Sequence, residues 1–180
     1  MEETNSSGQE QPKYHINEGM VRARIENLKL EQNLGLGIIG GGTGGLLGAL
    51  VWAAVTYFSE YQIGWMAVGV GFLVGYGVSK LGKGFDRVFG IAGGLIALVS
   101  VALGNFLASI GFLAKALEVG YLTMLLNFNY AMTFELLKET FTPMDLFFYA
   151  IAIYEGYKFS FRRISREQLL EGAVSPIRQD

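Results

Sequence analysis

The sequence predicts an all-α integral membrane protein, a four-helix bundle with an amphipathic, mostly helical segment outside the membrane between its third and fourth spans. Three observations carry that prediction. Hydrophobic residues make up 51% of the 180-residue chain and charged residues only 17%. Ionised side chains are missing from long stretches: Glu60 is the one charge between Gln32 and Ser79, and Val88–Ala114 has none. The basic residues, finally, alternate between rich and poor segments along the chain. A soluble fold would have to bury each uncharged block on every side, and a chain of this length has too little polar shell to do so.

The elements follow in order. Met1–Gln11 is made of Ser, Gln, Glu and Asn with little to bury, a composition of disorder. The six acidic groups before Gln32 and the lack of an apolar core are unlike a signal peptide. Val21, Ile25 and Leu28 share one helical face, so Glu18–Gln32 reads as a short amphipathic interfacial helix. The alternation Val21, Ala23, Ile25 suits a strand equally. A bilayer core takes about 20 helical residues. The apolar blocks supply spans at about 34–58, 62–80, 88–112 and 143–161, the first two separated by Ser59-Glu60-Tyr61. Lys and Arg number 4, 0, 3, 2 and 5 in the successive segments between the apolar blocks, counting Lys80 and Lys158 at the ends of the second and fourth spans. The positive-inside rule then places both termini in the cytoplasm of a multi-pass cell-membrane protein, bacterial inner membrane by preference. A five-span alternative adds Leu117–Phe134 and moves the arginine-rich tail outside.

Lys115–Met144 holds many large apolar residues, with its charges at the two ends. Asn127-Phe128-Asn129 breaks it into two helices that lie along the outer interface, as a lid or as a docking surface for a partner membrane protein. The last span opens with Thr142 as cap, Pro143 at the first helical position and Asp145 three after the cap. Past it, Ser165 with Gln168 caps a short helix that Gly172 stops. The chain therefore divides into a polar tail (1–33), a membrane domain (34–161) and a basic tail (162–180).

Glycine is the strongest local signal. In the first span Gly37, Gly41 and Gly45 recur every four residues, as do Gly40, Gly44 and Gly48. Small residues line one face of each other span, including Gly71 and Gly75 in the second, Gly93 and Gly104 in the third and Gly156 in the fourth. Burial does not drive helix pairing in lipid, whereas close backbone approach across small residues does. The pattern reads as a tight bundle with leucine, valine and aromatics toward lipid; a homo-oligomeric pore is the functional alternative. Two strings imitate nucleotide motifs, Gly35-Leu36-Gly37-Ile38-Ile39-Gly40 and Gly77 through Lys83. Each sits on an apolar span without a preceding strand, and Gly84 replaces the hydroxyl a P-loop needs.

Glu155 lies inside the last span, three residues before Lys158, with which it can pair; an ionisable residue at that depth is a functional candidate. Arg162, Arg163 and Arg166 suit anionic inner-leaflet headgroups. Without cysteine, and with His15 the single histidine, the chain has no disulfide framework, thiolate chemistry or cysteine-ligated metal, and nothing asks for a cofactor. A net charge of −2 gives no case for nucleic acid.

The run Tyr61–Gly71, the turn Gly82-Lys83-Gly84-Phe85-Asp86 and the run Asp145–Tyr157 resemble uncharacterised bacterial glycine-rich multi-pass membrane proteins. That resemblance covers about Leu34–Phe161 and implies a membrane protein of unassigned role, carrying no catalytic residue over. A faint internal echo sets Gly44–Val51 beside Gly93–Val99. The functional reading is a non-enzymatic scaffold or accessory subunit, with lipid and a second copy or partner membrane protein as its contacts. The alternative is a small-solute, ion or proton transporter or channel using Glu155 and the glycine-lined faces.

Overall fold

The computed structural model describes residues 14–61 and 64–176. In chain order the elements are β1 (Tyr14–Ile16), α1 (Glu18–Leu30), α2 (Leu34–Ser59), α3 (Met66–Gly82), α4 (Arg87–Ala116), α5 (Tyr121–Asn127), a 3-10 turn (Tyr130–Met132), α6 (Thr133–Thr140), α7 (Pro143–Phe159), α8 (Arg166–Leu170) and β2 (Val174–Pro176). Two units result, one from residues 1–31 with 163–180 and one from residues 32–162. The disorder expected for Met1–Gln11 lies outside the described residues.

In the terminal unit β1 pairs antiparallel with β2, Tyr14 facing Pro176 and Ile16 facing Val174. This three-residue ribbon is the exception to an otherwise helical fold, and the sequence did not announce it. Asn17 accepts the Met20 N–H and starts α1, so the helix-or-strand ambiguity over Val21–Ile25 resolves as helix. The predicted α8 forms: Ser165 and Gln168 cap each other reciprocally, and Gly172 takes a φ of +77° beyond its end.

The second unit is the glycine-rich body. α2 and α3 run antiparallel, matching Gly37 with Gly82, Gly40 with Gly77, Gly44 with Leu73 and Gly48 with Val70. α4 runs parallel to α2, which sets Gly41 by Ile96, Gly45 by Ser100, Ala49 by Gly104 and Glu60 by Lys115. α7 runs parallel to α3, with Gly71 on Ala152 and Gly75 by Gly156, and antiparallel to α4. α3 and α4 therefore occupy the centre, flanked by α2 and α7. Trp52, Val70, Val74, Val78, Val101 and Ile110 fill the core. This corrects the expectation that valines face lipid: outward positions hold Leu47, Leu95 and Val99, but the β-branched side chains also fill the space that the glycines leave.

Of the four expected spans, α2 and α4 are long and apolar enough to cross a membrane, at 26 and 30 residues. α3 and α7 each have 17. α3 begins at Met66 rather than at 62 because the chain turns first: Glu60 sits at φ 61°, and Gly64 and Trp65 form a tight turn before the helix. The five-span alternative fails on length. Tyr121–Asn127 is a seven-residue helix, about 10 Å at 1.5 Å per residue. The break at Asn127-Phe128-Asn129 falls where predicted.

Candidate functional site

Among the described residues no three His, Asp or Glu side chains converge to hold a metal. The distinctive chemistry of the chain lies in the glycine seams, in the polar residues buried between helices and at the two ends of the body.

The seams are direct. A Cβ added to Gly40 would fall on the carbonyl of Gly77, and one added to Gly77 on the carbonyl of Gly40. The α4–α7 pair repeats this: a Cβ on Gly93 would lie 2.5 Å from the Gly156 carbonyl oxygen, and one on Gly156 2.7 Å from that of Gly93. Around these points Gly41 abuts Val78, Gly44 the Leu73 carbonyl, Gly45 the Ser100 hydroxyl, Gly71 the Ala152 carbonyl and Gly75 Phe159. Gly37 and Gly48 are slightly looser, with 3.3 Å to the Gly82 Cα and 3.1 Å to Val70. Gly104 departs from the prediction. A Cβ there would stand 3.4 Å or more from Ala49 and Trp52, an ordinary contact, so this glycine seats the Trp52 indole rather than joining two backbones. Gly77, the partner of Gly40, was missed because Gly71 and Gly75 mark a different face of α3, the one turned to α7.

The ionisable residues lie at the end of α7 and just past it, and their contacts are specific. Glu155 is half-buried with its Cβ against Gly71, at the α3–α7 contact. Its expected ion pair with Lys158 does not form, because the ammonium instead lies over the rings of Tyr154 at 5.3 Å and Phe159 at 5.6 Å. Arg162 closes one end of the body: its N–H donates to the Gly84 carbonyl, and its guanidinium lies 5.7 Å from the Phe85 ring. Gln32 holds the same turn, accepting from the Phe85 and Asp86 N–H groups and donating to the Asp86 carboxylate. Arg163 and Arg166 belong to the terminal unit, Arg166 opening α8. The two nucleotide-like strings lie at the start of α2, after the helix α1, and at the end of α3, so neither follows directly on a strand.

Buried polar residues were the main omission. Asn105, 1% exposed, donates to the Tyr149 hydroxyl at 3.2 Å, and the Ser109 hydroxyl donates to the Asn105 carbonyl. Trp52 Nε1 and Thr56 Oγ1 are buried on the same face of α2 with no partner among the described residues. The polar side chains inside otherwise apolar runs were visible in the sequence; which of them face inward was not. Asp145 is buried because its carboxylate accepts from the Thr142 N–H at 2.7 Å and hydroxyl at 2.8 Å, as the predicted cap requires. At the end opposite Arg162, the Lys115 ammonium donates to Glu60 at 2.7 Å and sits 4.8 Å over the Tyr57 ring. That hydrogen bond, with the lysine charge, holds the Glu60 carboxyl below the usual carboxylate range. Nearby, Tyr121 donates to the Leu107 carbonyl, folding α5 back along α4, and burial raises its phenol above the ordinary value.

No protein-family model, curated protein or solved structure matches this chain.

Proposed function

We propose that the chain is an integral membrane protein that crosses the bilayer four times and serves a non-enzymatic role, as a scaffold or accessory subunit of a membrane assembly. The outer surface of the body carries the reading. In the most apolar 18-residue stretch of α2 only 39% of residues are buried, and the outward ones include Ile39, Leu46, Leu47 and Leu50. α4 presents Ile91, Leu95 and Val99 in the same way, and α7 presents Leu146 and Phe147. A soluble core helix hides such residues; these need hydrocarbon.

The pairings support four crossings despite the short α3 and α7. α3 and α7, at 17 residues or about 25 Å each, match a bilayer core somewhat thinner than the usual value of about 30 Å, and α2 and α4 run beyond them. The ends of the body differ in charge: Lys80, Lys83, Arg87 and Arg162 gather at one, consistent with a cytoplasmic face. The resemblance to glycine-rich multi-pass proteins and the inner-membrane location belong to this reading, as do both termini in the cytoplasm. A scaffold is favoured over a channel because valines and glycine–carbonyl contacts fill the axis of the body.

The absence of cysteine makes the test clean. Single cysteines at Tyr61 and Lys83 are probed with a membrane-impermeant maleimide. Position 61 reacts in intact cells and position 83 only after lysis, with the protein resisting alkaline carbonate extraction. Labelling of both in intact cells, or release by carbonate, refutes the four-span reading. Proton or ion flux into liposomes that Glu155→Gln abolishes would establish the transport alternative instead.

A further inference from the structure

We infer that the groove between α6 and the α4–α7 pair is a binding site for a single-chain anionic amphiphile, a fatty carboxylate being the simplest. It is a cavity of about 320 Å³ lined by Ala102, Phe134, Lys138, Phe141 and Tyr149. That volume falls at the lower end of the range for small-ligand pockets, enough for one acyl chain but not for a two-chain lipid.

The lining is apolar except at two points. One is the Tyr149 hydroxyl, which accepts the buried Asn105 amide and so stays fixed. The other is Lys138, the one charged residue in the wall among the described residues. Phe134, Lys138 and Phe141 recur at i, i+4 and i+7, so they share one face. Glu135 and Glu139 lie about 100° further round, away from that face. Asp145, one turn before Tyr149, is occupied by the Thr142 N–H and hydroxyl.

Charge complementarity sets the polarity of the ligand. Lys115, also at this end of the body, is neutralised by Glu60. Lys138 is exposed and has no carboxylate within ion-pair distance among the described residues. An acyl chain lying along Ala102, Phe134 and Phe141 would place a carboxylate at this ammonium, where the bond is charge-assisted. The inference does not depend on the number of membrane crossings, because α4, α6 and α7 form the groove in either case.

The test titrates the detergent-solubilised full chain with cis-parinarate, which fluoresces in apolar surroundings, and competes it with oleate or with oleyl alcohol, the same chain without the charge. The site predicts that oleate competes about tenfold better than oleyl alcohol. Lys138→Gln, on an exposed position that leaves the fold alone, removes this preference while parinarate displacement by the alcohol persists. Ala102→Leu fills the groove and weakens both competitors at least tenfold. A preference that survives Lys138→Gln, parinarate binding unaltered by Ala102→Leu, or no saturable binding to the wild type overturns the proposal.

Discussion

Gly40 and Gly77 face one another with no space for a methyl group, while a Cβ on Gly42 or Gly69 would meet nothing within 4 Å. Glycine-to-alanine substitution therefore separates structural glycines from incidental ones. Gly77→Ala should cost about 1–3 kcal/mol, the usual penalty of overpacking, because a backbone carbonyl has to move. Gly42→Ala should be neutral, or stabilising by up to about 1 kcal/mol through helix propensity. Unfolding in detergent by heat or SDS, followed by circular dichroism, measures both, and equal effects would show that the seams are not tight. The four-residue spacing points to glycine packing, and a Cβ on Gly40, Gly44, Gly71 or Gly156 would come under 3.0 Å from a backbone atom or side chain opposite. Spacing alone could not separate Gly104 from the others. Whether a small residue meets a backbone or makes room for a ring depends on the residue opposite, here Trp52, and that is set by helix register.

The pin between Glu60 and Lys115 joins the far ends of α2 and α4, two helices separated by 55 positions in a parallel register. Its folded carboxyl titrates lower than the unfolded one. The stabilisation it lends is thus complete above the unfolded value of about 4.3 and disappears as pH falls through the folded one. Glu60→Gln should leave the acid limb of the stability profile below about pH 5 shallower than in the wild type; superimposable profiles would show that the pin contributes nothing. Tyr121→Phe removes the hydrogen bond to the Leu107 carbonyl and should cost about 1 kcal/mol, read as faster proteolysis or hydrogen exchange of α5 with the body unaffected. Local signals made these elements legible: the Asn127-Phe128-Asn129 break, the Thr142-Pro143-Asp145 start and the Ser165–Gln168 box all appear where the sequence places them. What stayed hidden depends on residues far apart in the chain. The β1–β2 ribbon joins segments some 160 residues apart, and α5 turns back along α4 through one tyrosine hydroxyl.

For the molecule as a whole, the proposed crossings by the short α3 and α7 set the bilayer it should fit. At 17 residues each they reach about 25 Å, so the reconstituted protein should be most heat-stable in thin bilayers with 14- to 16-carbon chains and lose stability steadily toward 22 carbons. A melting temperature indifferent to chain length would argue against crossings by these two helices. The body also repeats itself. α2–α3 and α4–α7 are hairpins of the same sense, and each is joined by a reciprocal glycine contact, Gly40 with Gly77 and Gly93 with Gly156. The sequence echo sets Gly44 against Gly93, whereas the structural equivalence pairs Gly40 with Gly93. The two differ by one helical turn, which composition alone could not fix.

Along α4 and α7 the facing residues grow from one end to the other: Gly93, Ala97 and Gly156 meet where Arg162 closes the turn, and Asn105 meets Tyr149 further along. The pair is therefore a wedge, clamped at its thin end and propped at its thick end by the Tyr149 ring. Gly93 lies about 18 Å down the helix from the Asn105–Tyr149 contact. A methyl group inserted at the clamp would lever the arms apart and alter the width of the mouth without touching any residue that lines it.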